Sequence, residues 1–116
     1  METEGPVIKI RGNVFHVRGQ RVLPAADAAA FYRVSRAALM RAVRRNPDKF
    51  TREFMFRLTL REQGGIPALK NERRSTLVFT ELGVAMLSTV LNSSKAAAVN
   101  VEIVRETIRL IKARSL

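Results

Sequence analysis

The sequence predicts an α+β fold: a small N-terminal β-meander, a helix-turn-helix-like pair, a short wing-like β-ribbon and two C-terminal helices. Three observations carry this expectation. Residues 7–23, VIKIRGNVFHVRGQRVL, are dominated by β-branched and aromatic residues and broken by glycines. AADAAAFY and SRAALMRAVRR follow as two short helical stretches, preceded by Pro24 and stopped by Pro47. Near the C-terminus Ala97, Val101, Val104, Ile108 and Ile111 recur at steps of four and three, the spacing of one helix face.

Each element has a local reason. In the meander, Gly12-Asn13 and Gly19-Gln20 mark two turns, and His16 is expected on the surface or half-buried. Pro24 suits the first position of a helix, where its missing N–H costs nothing, so 25–32 reads as the first helix with Tyr32 as a core or interface ring. Arg33-Val34 then separates it from a second helix over 35–45, which Ser35 caps by accepting a backbone N–H. FMFRL, 54–58, and LVF, 77–79, are strand candidates that can pair as a ribbon. Between them Thr59-Leu60-Arg61-Glu62 spells a capping box for a brief helix. The basic stretch KNERRST, 70–76, is expected at or near the ribbon tip. Thr80 caps a helix over 81–91, and Ser93 or Ser94 caps a last helix reaching about Lys112. Its apolar stripe predicts a buried face, wide enough to suit a second copy as well as the chain's own core. A single domain spanning 1–116 is expected, with 1–6 disordered.

Composition narrows the functions. The 116 residues contain no cysteine and one histidine, so neither a disulfide framework nor a Cys or His metal site is expected. No paired His and carboxylate, no Cys nucleophile and no phosphate-binding glycine loop is apparent, so no enzyme activity and no cofactor are expected. No apolar run approaches the roughly 20 residues of a membrane span, and no signal peptide opens the chain. The expectation is a cytosolic soluble domain. Twenty-one Lys and Arg against ten Asp and Glu leave +11, an electrostatic footprint for a polyanion.

That charge is concentrated. Residues 33–61 hold eight arginines and one lysine against Asp48 and Glu53, a net of +7. On a helical wheel Leu39, Ala42 and Val43 form the core side of the second helix. Ala37, Arg41 and Arg44 lie nearly opposite, flanked by Met40 and Arg45, with Arg36 nearer the start. The helix carries no acid. Like charges four apart, at Arg41 and Arg45, destabilise an isolated helix by a few tenths of a kcal/mol, a cost that a sequence accepts more readily where a polyanion relieves it. The expected nucleic-acid-contacting residues are therefore Ser35, Arg36, Ala37, Met40, Arg41, Arg44, Arg45, Arg33, Arg52, Arg73 and Arg74, with Arg45, Arg52 or the 70–74 loop making phosphate contacts that fix the register. Arginine pairs in two-pronged fashion with guanine O6 and N7, and a small residue such as Ala37 lets a helix approach a thymine methyl.

The segments RGQRVLPAADAAAFYRVSRAALMRAVRRNPDKFTREFMFRLT and LVFTELGVAMLSTVLNSSKAAAVNVEIVRETIRL resemble the ORF-six-N domain, over about residues 18–112. The most specific pieces are Arg18 to Val22, Val43 to Asn46 with Phe50, Phe54 to Phe56 with Leu58-Thr59, and Phe79 to Leu87. The resemblance implies a phage or prophage DNA-binding module related to the KilA-N and Bro-N types, found in antirepressor-like proteins. It carries the family's basic positions onto Arg44 and Arg45. The chain departs from the pattern at Ala25, Ala28 and Thr51, where Asp, Leu and Pro are usual, and at Arg33, where the turn usually has Gly. A left-handed backbone at Arg33 would cost about 1 kcal/mol relative to Gly.

Two functions follow as expectations. The first is a sequence-specific double-stranded DNA-binding domain of a phage or prophage transcription regulator or antirepressor, as a homodimer through the last helix, 94–112. The alternative is a protein-interaction module that captures an acidic host or phage regulatory protein, such as a repressor.

Overall fold

The computed structural model describes residues 8–11 and 14–114. The expected disorder of 1–6 and the turn at Gly12-Asn13 lie outside the described residues. Five strands form one antiparallel sheet: β1 (Ile8–Arg11), β2 (Val14–Val17), β3 (Gln20–Pro24), β4 (Met55–Arg57) and β5 (Leu77–Thr80), in the order β1-β2-β3-β5-β4. The α+β class holds, and β4 pairs with β5 as the ribbon expected from 54–58 and 77–79, with Met55 opposite Phe79 and Arg57 opposite Leu77. The ribbon does not stand apart, however. Leu23 faces Phe79 across the β3–β5 ladder, which joins ribbon and meander into one sheet.

The β2–β3 hairpin turns at Arg18-Gly19, one residue earlier than Gly19-Gln20, with Val17 opposite Gln20. Both turn residues have positive φ, 54° and 76°, as a two-residue turn matched to the right-handed strand twist requires.

Two cores sit on the two faces of the sheet. β5 is an interior strand, and alternation sends Leu77 and Phe79 one way and Val78 the other. On the Phe79 side pack α1 (Ala25–Tyr32), α2 (Arg36–Arg45), α4 (Glu81–Leu87) and the start of α5 (Ser94–Arg114). On the Val78 side Phe15, Val17, Val22, Phe56 and Leu58 meet Ile66, just beyond α3 (Leu60–Gly64). The buried face of the meander is thus that of Phe15, Val17 and Val22, and His16 is half-buried. Thr59 and Glu62 close the capping box of α3. Tyr32 is fully buried; its hydroxyl donates to Val84 O at 2.6 Å, and burial pushes its pKa up to about 12.

Pro24 does not begin α1. It ends β3 and precedes the helix, paired with Val78 in the ladder. α1 stops as a left-handed C-terminal motif: Arg33, at φ 59° and ψ 41°, donates to Ala30 O, and Val34 N donates to Ala29 O. The chain therefore keeps the glycine-type turn with an arginine in it. Replacing Arg33→Gly is expected to raise stability by about 1 kcal/mol in urea unfolding, because the left-handed strain is relieved. No gain would mean that the arginine side chain already compensates.

Two expectations about the C-terminal helices change. α4 ends at Leu87 rather than 91. The Ser88 and Thr89 hydroxyls donate back to Ala85 O and Met86 O, taking carbonyls that a continuing helix would use, and the chain tightens into three-residue turns. Ser93 caps α5, but the predicted buried stripe is not buried by this chain. Only Ala96 of α5 is buried, whereas Val101 is 48%, Val104 50%, Ile108 48% and Ile111 58% exposed. The heptad spacing is real; the packing partner it implied is not supplied by the rest of the fold.

Candidate nucleic-acid interface

α2 is fixed from beneath and capped at its start. Leu39, Ala42 and Val43 are buried, and Ser35 Oγ accepts from Ala38 N at 3.0 Å. Of the predicted contact residues, Ser35 is thus a cap that sets where α2 begins. At the other end Asn46 Nδ2 donates to Ala42 O at 2.7 Å before a single 3-10 turn over Pro47–Lys49.

The outer surface of α2 divides into two stripes. Ala37, Arg41 and Arg45 lie along one, exposed to open solvent. Arg36, Met40 and Arg44, also four apart, line a cleft of about 640 Å³ whose far wall is the 68–77 segment. Arg36 and Arg44 remain exposed, and Met40 is half-buried, packed against the core. The basic stretch beyond α3 therefore flanks α2 and does not cover it. Arg74 lines the same cleft, whereas Arg73 is exposed outside it. Arg33 is exposed on the turn into α2, and Arg52 is exposed beyond the 3-10 turn, away from the cleft. Among the described residues none of these eight guanidinium groups enters an ion pair.

One participant escaped the sequence reading. Arg57 lines the cleft, and its Nη1 donates to Ser75 O at 3.0 Å. The signal was available: in FMFRL the two-residue period puts Arg57 on the face of Met55, which packs toward the helices. Asp27 and Glu72 also line the cleft, so four guanidinium groups share it with two carboxylates.

Among the described residues no three His, Cys, Asp or Glu come together as metal ligands. No described helix is long and apolar enough to cross a membrane. The fold and its surface define a small cationic α+β domain with a basic helix outermost. The ORF6N domain profile matches residues 12–90, and the chain belongs to that family, a phage-related domain of the KilA-N and Bro-N type. The match spans β2 to the end of α4, so α5 lies beyond it, although the resemblance in sequence had extended to about residue 112. Comparison with curated proteins and with solved structures returns no match to this chain.

Proposed function

We propose that the chain is a sequence-specific double-stranded DNA-binding domain of a phage or prophage transcription regulator or antirepressor. The observation that carries this reading is the acid-free outer surface of α2, where Arg36, Arg41, Arg44 and Arg45 are all exposed and unpaired among the described residues. A helix of this diameter, about 10–12 Å, fills a major groove about 12 Å wide. In that pose Ala37, Arg41 and Arg45 meet base edges, while Arg33, Arg52 and Arg73 meet phosphates and set the register. Such a regulator works in the cytoplasm, on the nucleoid. The reading extends to a homodimer through the exposed stripe of α5, in which case half-sites recur about 34–36 Å apart.

The test is affinity for duplexes selected from a random pool, measured against salt. Six neutralised phosphates reduce affinity by about 10³ between 50 and 200 mM salt. Arg41→Ala is expected to cost about 1–3 kcal/mol and to relax discrimination at one base pair. Arg33→Gly is expected to weaken binding even as it stabilises the fold. Salt-insensitive binding overturns the reading, and an acidic protein retained from a nuclease-treated lysate favours the interaction-module alternative.

A further inference from the structure

The two stripes of α2 differ in shape as well as direction. The outward stripe is convex. The other opens into the cleft, which Phe15, Leu69 and Leu77 also line and whose cations arrive from three separate segments: Arg36 and Arg44 from α2, Arg57 from β4, Arg74 from the basic loop. A solvated helix face gathers charge along one helix only; here a strand and a loop add to it across a gap.

We propose that this cleft is a phosphate seat, which takes a phosphate ester of the strand that borders the groove occupied by α2. The inference rests on the duplex reading above. A helix that fills a groove has a sugar–phosphate ridge immediately beside it, and the cleft runs along the flank of α2 where that ridge falls. The planar, two-pronged arginine donors match phosphate oxygens. Clustering them round one recess sums their fields there. The far wall is fixed before any ligand arrives. Arg57 holds Ser75 O, Thr76 N donates to Gln63 Oε1 at 2.6 Å, and Leu58 N donates to Thr76 O at 2.9 Å. The carboxylates of Asp27 and Glu72 leave the seat a net charge of only +2, suited to one phosphate rather than to a run of them.

The experiment uses the full chain with one selected duplex and one of unrelated sequence, with anisotropy read across salt. Arg74 makes no bond within the described fold, so Arg74→Ala tests the seat without disturbing it. It is expected to weaken binding by about fivefold on every duplex alike and to lower the salt slope by about one. Arg57→Lys is expected to do the same more mildly. Glu72→Gln is expected to tighten binding, and Glu102→Gln, an equal change of charge on distant α5, to have the smaller effect. A second arm follows the Arg57 and Arg74 Nε–H signals by NMR during titration with inorganic phosphate and with a nucleoside monophosphate. Shifts there with an unchanged duplex affinity in Arg74→Ala assign the seat to a free phosphorylated molecule instead of the duplex backbone. Wild-type affinity and slope in Arg74→Ala, together with unmoved signals, overturn the seat while leaving duplex binding by α2 standing. A wild-type chain that binds no duplex sinks the duplex reading itself, and the phosphate titration then decides the seat alone.

Discussion

Gly83→Ala is expected to destabilise the fold by about 3 kcal/mol, with loss of the cooperative transition at moderate temperature. Gly83 is buried in the first turn of α4, and a Cβ added there would overlap the carbonyl oxygen of Phe54 and lie 2.9 Å from its carbon. That neighbour is backbone, and it cannot swing aside. Thr80 N donates to Phe54 O at 3.0 Å, Thr80 Oγ1 donates to Glu53 O at 2.9 Å, and Gly83 N donates to Thr80 Oγ1 at 3.1 Å. The junction of β5 and α4 is thereby bonded to the entry of β4, and the absent side chain is what lets the two backbones meet. Thermal and urea unfolding check this. A loss below about 1 kcal/mol would mean that α4 does not seat against Phe54.

Arg18→Ala is expected to cost about 3 kcal/mol at neutral pH and much less in acid. Glu62 is buried, with only 3% of its side chain exposed, and the Arg18 fork reaches it twice, Nε to Oε2 at 2.8 Å and Nη2 to Oε1 at 3.1 Å. Thr59 N adds a third bond at 2.7 Å. Burial by itself raises the carboxyl pKa, but the Arg18 and Thr59 bonds more than offset it, so Glu62 sits below its ordinary value of 4.5. A depressed carboxyl pKa contributes stability that is fully present above the unfolded value and is lost as pH falls through the folded one. Wild type should therefore lose this contribution only below about pH 4.5. In the variant a buried carboxylate without its arginine is relieved by protonation, so the gap between the two proteins narrows in acid. Equal gaps at pH 7 and pH 3 would show that the pair contributes nothing electrostatic. The Arg18 guanidinium also stacks over Phe56, 4.2 Å from the ring centre, so Arg18→Lys should recover part of the loss.

Features written within a few residues of each other were legible in the sequence. α1 spans 25–32 as read, Ser35 caps α2, and Thr59 with Glu62 caps α3, because caps and proline stops act locally. The pairing of 54–58 with 77–79 was also legible, as two short apolar runs either side of a polar stretch. The β3–β5 ladder was not, since no local pattern says which strand becomes the neighbour of which. For the same reason Arg36, Arg44, Arg57 and Arg74, spread over nearly forty positions, did not announce that they share a cleft. The left-handed turn at Arg33 shows the opposite case, where tertiary packing of α1 and α2 holds a backbone shape that the residue itself disfavours.

The outer length of α5 has an energetic character unlike the rest of the molecule. From Val101 to Arg114 every residue is exposed, so these turns draw on backbone bonds and on the Glu102–Arg105 and Glu106–Arg109 pairs rather than on packing. A free helix of this length is marginal in water because starting one is costly, but here the Ser93 cap and buried Ala96 supply a ready-made nucleus. The protruding turns are therefore a propagated extension of the core, and their amides should open progressively more often toward the tip.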